Sequence, residues 1–187
     1  MQICRILASN DFVGIVCAFD FVLEWFGVVS QIFLSQGHPP LQVINISDFA
    51  REHGFLKEYD ERFLCPVIDE RRLFDYIEPN LLRGGCIVDY HDSGLLTART
   101  IDAVFVLRCS TEILYDRLVA RGYGPTKIQG NIECEIFEPL VQEALMSFAH
   151  DRVFDLENNC EDDIERNANF IVSKYRALIN SGDQPSS

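Results

Sequence analysis

Apolar and polar positions along the chain change period several times, and each change marks an element. Residues 42–46 (QVINI) make a short apolar run that predicts a strand, and Ser47 or Asp48 is placed to cap a helix over 48–53. Over 69–82 the apolar residues Leu73, Ile77 and Leu81 recur every four positions, which predicts a helix stopped by Gly84-Gly85. The runs CIVDY (86–90) and AVFVL (103–107) are apolar without alternation, as strands covered on both faces are. Helices are predicted over 111–120, with Ile113, Leu114 and Leu118 on one face, and over 131–149 and 161–179. A short strand is predicted at 153–156. Alternation of strands with helices predicts an α/β fold, a parallel sheet with helices on both faces. No internal repeat is present.

The first forty residues depart from this rhythm. Of the 23 residues from 12 to 34, 14 are Leu, Ile, Val or Phe. In a bilayer these would gain about 4 to 8 kcal/mol, while Asp20 and Glu24 near the centre would cost roughly 5 to 7. The two sides nearly cancel, so a buried or poorly folded segment is expected rather than a membrane span. A signal peptide fits poorly, since Arg5 alone would supply the basic region. Residues 1–40 are therefore read as an atypical hydrophobic segment, joined at Pro39-Pro40 to a domain over 41–180 and followed by a disordered tail at 181–187.

Charge narrows the partners. With 16 Lys and Arg against 29 Asp and Glu, the chain carries a formal charge of −13. That argues against broad or sequence-specific binding to nucleic acid and suits a basic partner. The seven cysteines (Cys4, Cys17, Cys65, Cys86, Cys109, Cys134 and Cys160) form no CxxC pair, and are expected as reduced thiols of a cytosolic or nuclear protein.

Candidate chemistry sits at strand ends. Asp89 follows three apolar residues in CIVDY and is itself followed by Tyr90, His91 and Asp92. A carboxylate beyond the carboxyl end of a parallel strand can hold Mg²⁺ through water, and a nearby His can orient a water or take a proton. An ordinary strand-end Asp with a surface His is the alternative. Arg108 ends the next strand, Arg117 and Arg121 share a face of the following helix, and Arg51 lies on the helix after the first strand. Guanidinium groups gathered there suit phosphate, since each grips two oxygens; a solvated helix face is the rival reading. Gly122, Gly124, Pro125, Lys127 and Gly130 make either a lid or a plain loop. His38, His53 and His150 have no ligand-like spacing and are expected at the surface.

Five stretches, VINISDFAREHG, KEYDERFLCPVIDERRLFDYI, GGCIVDYHD, AVFVLRCSTEILYDRLVARGY and NIECEIFEPLVQEA, resemble the adenylate kinase isoenzyme 6 family across about residues 43–179. The resemblance implies a P-loop, adenylate kinase-like sheet with a monophosphate-binding region at about 45–68 and a lid at about 120–130. It implies transfer of a phosphoryl group from ATP to AMP with Mg²⁺, ATPase activity beside it, and a role with a basic protein of the small ribosomal subunit in nucleus and cytoplasm. By the same token Arg51 would grip the acceptor phosphate, Asp89 and His91 would take the places of the Walker-B-like Asp and its catalytic His, and Arg121 and Arg117 would reach the ATP phosphates.

One departure is large. No Gly is followed by Lys anywhere, and residues 1–56 contain no Lys, so the loop that cradles phosphates with its N–H groups and a Lys is missing. Gly14 stands isolated among apolar residues. Residues 1–36 do not resemble the family, and the sheet is expected to lose its family-type first strand, leaving an atypical N-terminal strand and P-loop. Two explanations stand open: an alternative first segment of a gene whose other form carries the loop, or a variant that has given up ATP hydrolysis and keeps a binding role.

Overall fold

The computed structural model describes residues 13–17, 22–37, 41–61, 65–90 and 99–182. In chain order the elements are β1 (Val13–Cys17), α1 (Val22–Ser35), β2 (Gln42–Asn45), α2 (Ile46–His53), β3 (Leu56–Asp60), β4 (Cys65–Ile68), α3 (Glu70–Leu81), β5 (Cys86–Asp89), β6 (Ala103–Arg108), α4 (Thr111–Ala120), α5 (Pro125–Phe137), α6 (Pro139–Ser147), β7 (Val153–Glu157) and α7 (Glu161–Gly182). Five strands form one parallel sheet in the order β2-β5-β1-β6-β7, and β3 pairs with β4 as a separate antiparallel hairpin.

The sheet has a first strand, β1, formed by the atypical amino-terminal sequence. β1 lies at the centre, with Val16 paired to Asp89 of β5 and to Phe105 of β6. The physical reason is the one that made the segment look unusual: the central strand of a parallel sheet has no solvated face, so it is written as continuous apolar residues. The helix that follows it is apolar for a similar reason. Val29 and Phe33 of α1 are fully buried, and Phe33 meets Tyr175 of α7 with ring centroids 4.6 Å apart. Among the described residues no helix is long and apolar enough to cross a membrane.

Two clusters cover the two faces. Ile87, Ala103, Phe105 and Leu107 pack under α1 and α7, against Val29, Phe33, Ile171, Val172 and Tyr175. Ile44, Val88, Val104 and Val106 pack under α2, α3 and α6, against Ala50, Leu73, Ile77, Leu140 and Ala144. Alternate residues of β6 thus serve opposite faces, as the two-residue side-chain period requires. The predicted strands and the helices α3, α4 and α7 stand close to their expected places. α4 and α5 close a third, small cluster of Leu114, Leu118 and Ile128.

Local details differ from the sequence reading in several places. α2 begins at Ile46 and is capped by Asn45, whose side chain accepts from the Asp48 N–H, in place of Ser47 or Asp48. Fully buried Ile46 has to start the helix to reach the core. The hairpin β3–β4 went unpredicted because it is largely exposed and shows no apolar alternation. The helix expected over 131–149 is two helices. Pro139 lacks the N–H that would continue α5, so the chain turns at Glu138, which takes a left-handed backbone (φ 54°) before α6 starts on the proline. Within the span 120–130 expected for the lid, 121–124 form a turn where Gly122 (φ 75°) reverses the chain, and 125–130 are the first turns of α5. At the carboxyl end α7 runs through Gly182, two residues into the expected tail; 183–187 lie outside the described residues.

Candidate functional site

All five sheet strands run parallel, so their carboxyl ends share one edge. The chain goes from β1 out to β2 and returns to β5, then crosses β1 to reach β6 and β7. The order therefore reverses at β1, and ligands of open α/β sheets bind beyond the strand ends at such a point. Asp89 ends β5 on one side of β1, and Arg108 ends β6 on the other.

Asp89 is 7% exposed. Its carboxylate accepts a hydrogen bond from the Asn45 amide nitrogen, and Asn45 is its neighbour in register on β2. Burial pushes its pKa up to about 6; the Asn45 bond acts against this, and the charge of Asp48 adds to it. Above that pH a desolvated carboxylate stands at the sheet edge, with Asn45 its one described hydrogen-bond partner. Among the described residues no three His, Cys, Asp or Glu side chains gather into a metal cage. A lone carboxylate of this kind suits Mg²⁺ that arrives on phosphates and keeps several waters, since Mg²⁺ is usually held by one or two carboxylates. His91 lies outside the described residues.

The arginines divide into two groups flanking β1. On the β2 side, Arg51 projects from α2 and pairs with Asp48 at 2.7 Å, both side chains well exposed. Such a pair is worth about 0–1 kcal/mol, so a phosphate can compete for the guanidinium. On the β6 side, Arg121 caps the carboxyl end of α4 with its side chain exposed.

Arg117 and Arg108 are occupied inside the protein. Arg117 donates to the carbonyls of Asn158 and Asn159, each at 3.0 Å, and to Cys109 Sγ, which holds the loop after β7 against α4. Beside that clamp the buried Asn158 Oδ1 has no hydrogen-bond partner among the described residues. Arg108 turns away from the edge. Its Nε donates to Glu135 Oε1 at 2.5 Å, its Nη2 donates to the Glu135 carbonyl and to Glu138, and Asp155 lies 3.6 Å away. Arg108 is thereby the pin that fixes the α5–α6 turn to the sheet.

Neither Asn45 nor Glu135 stood out in the sequence as part of this edge. An Asn before a helix was a legible signal, though Ser47 and Asp48 competed with it. Nothing local marks Glu135, whose partner is 27 residues away. His53 and His150 are exposed, as expected.

Comparison with known proteins agrees with this architecture. A family model described as AAA domain matches residues 3–138, so the match includes the segment that had looked foreign. The adenylate kinase isoenzyme 6 homolog of Drosophila melanogaster is 38% identical over 133 residues, covering 71% of this chain and 76% of its own. The homolog of Caenorhabditis elegans is 44% identical over 126 residues (66% and 69%). That of Saccharomyces cerevisiae is 38% identical over 141 residues (75% and 72%). The crystal structure of shikimate kinase from Bacteroides thetaiotaomicron superposes with a TM-score of 0.51 at 11% identity, covering 88% of this chain and 98% of that one, which supports the fold alone. With a P-loop kinase-like sheet and relatives matched over about two-thirds to three-quarters of its length, this chain belongs to the adenylate kinase isoenzyme 6 family.

Proposed function

We propose that this chain is built to move the γ-phosphoryl group of ATP to AMP, with ATP hydrolysis as a side activity. The single observation that carries the reading is the join at the sheet edge, where buried Asp89 is tied through Asn45 to the start of α2, the helix that bears Arg51. Phosphoryl transfer asks a protein mostly for positioning and charge stabilisation. Arg51 would exchange Asp48 for the acceptor phosphate, and Arg121 would approach the donor phosphates from the other side of β1. Arg117 would serve by holding the Asn158–Asn159 backbone, and His91 by orienting a water. Mg²⁺, when bound with ATP, would neutralise charge on the phosphates, and Asp89 would hold its water shell.

The missing phosphate cradle sets the rate. Only residues 18–21 (AFDF) separate β1 from α1, and they contain neither Gly nor Lys. Loss of the backbone and Lys donors should cost several orders of magnitude, so turnover by this chain is slow. The same observation favours a second reading, a catalytically impaired member whose charge of −13 binds a basic protein of the small ribosomal subunit, in nucleus and cytoplasm.

Calorimetry with MgATP and with AMP, on wild type, Arg121→Ala and Arg51→Ala, separates the two. Micromolar binding lost in the matching variant supports the kinase. No binding up to millimolar ligand in a folded protein, with capture of a basic ribosomal protein unchanged in Asp89→Asn and His91→Ala, supports the second reading.

A further inference from the structure

Asn45 is the last residue of β2 and the N-cap of α2, and it uses both ends of its side-chain amide. Oδ1 accepts from the Asp48 N–H at 2.9 Å, and Nδ2 donates to Asp89 Oδ2. The first bond settles the orientation of the amide, because only its oxygen can accept from an N–H; the nitrogen then has to face the carboxylate. Each end meets a need of its own. The first turn of α2 has N–H groups without helical partners, and a carboxylate as buried as that of Asp89 requires a donor.

Other good N-caps cannot do both. Aspartate keeps the cap but sets a second carboxylate against Asp89. Serine keeps the cap, and its hydroxyl, one atom beyond Cβ, is too short to reach Asp89 while it does so. Asparagine spans the two because β2 and β5 are parallel neighbours in register at this pair.

We propose that Asn45 is a positioning residue that locks the Asp89 carboxylate and the acceptor-binding helix α2 into one rigid unit, so that Arg51 is held in a fixed place relative to Asp89. The consequence for AMP rests on the kinase reading; the link itself does not. Arg51 reaches solvent from α2, whose amino-terminal end is fixed at the sheet edge by the buried side chain of Ile46 and by the two bonds of Asn45.

The test has two arms. Urea unfolding of wild type, Asn45→Ser, Asp89→Ala and the double variant measures coupling between the two positions. A hydrogen bond to a charged, buried partner predicts coupling of about tenfold to hundredfold in the unfolding constant. Additive effects would overturn the link.

The second arm is AMP affinity by calorimetry, wild type against Asn45→Ser and Asn45→Asp. Because both variants keep the cap, a residue needed only for helix stability would leave AMP affinity unchanged, and that result overturns the positioning role. We expect AMP binding about tenfold weaker in Asn45→Ser and weaker still in Asn45→Asp. Wild type that binds no AMP at all refutes the kinase reading and the effect on AMP, while the coupling measurement still decides whether Asn45 holds Asp89.

Discussion

Replacing Asp89 by Asn should make the ligand-free protein more stable at neutral pH, and the gain should vanish in acid. Burial raises the folded-state pKa of Asp89 from the ordinary 3.8 to about 6. At ~1.4 kcal/mol per tenfold change in proton affinity, holding the carboxylate ionised in the folded state costs about 3 kcal/mol above that range. The folded protein keeps this proton up to about pH 6, whereas the unfolded chain releases it near 3.8. Wild-type stability therefore falls as pH rises through that window.

Asn cannot ionise, and its amide oxygen can still accept from Asn45. Its new N–H groups meet no described acceptor, a loss of ~1–2 kcal/mol. The net gain is about 1–2 kcal/mol at pH 7.5, or an increase of roughly 0.5–1 M in the urea midpoint at a slope of about 2 kcal/mol per molar. Urea melts of both proteins in chelator, at several values between about pH 4 and 8, give the difference directly, and every other titrating group cancels. The advantage should be absent near pH 4, grow through the window and level off above about 7. A variant less stable than wild type at neutral pH, or a difference that ignores pH, would refute this account of Asp89. Such a residue is kept at a cost in stability, which is the expected signature of a functional carboxylate.

Three further outcomes follow from the packing. Phe33→Ala should cost about 3–5 kcal/mol, because a fully buried ring leaves the α1–α7 contact; a loss below about 1 kcal/mol by thermal or urea melting would mean that the amino-terminal helix does not pack on the sheet. Arg108→Met should cost about 3 kcal/mol by stranding the Glu135 carboxylate, whose side chain is 6% exposed, and adding Glu135→Gln should recover part of it; a neutral single variant would show that the pin is unimportant. Burial, with the charge of Asp102 adding to it, pushes the Cys86 thiol up to about 12, so native protein at about pH 8 should be alkylated at exposed Cys160 and spared at Cys86, as read by peptide mass spectrometry.

The local pattern alone determined much of this molecule. The apolar runs at 86–88 and 103–107, short and without alternation, fit inner strands covered on both faces, and both are buried strands. Four-residue spacing at Leu73, Ile77 and Leu81 had to be a helix face, and those three residues are buried together. The place of Asp89 was legible too: a charge after three apolar residues marks the end of an inner strand, and Asp89 ends β5. The proline at 139 was legible too, although the apolar spacing on either side of it masked the break.

Tertiary structure decided where these pieces went and what their polar groups do. The apolar segment 12–34 left open whether it was buried or poorly folded until 13–17 paired between β5 and β6 as a central strand. Arg108 and Arg117 read from the sequence either as phosphate-binding groups or as a solvated face, and the partners that the fold gives them lie 27 residues away at Glu135 and 41 residues away at Asn158. Asn45 meets Asp89 across 44 residues. Periodicity is a property of neighbours along the chain, whereas the partner of a buried polar group is set by desolvation: whichever group the fold brings within hydrogen-bond reach must satisfy it.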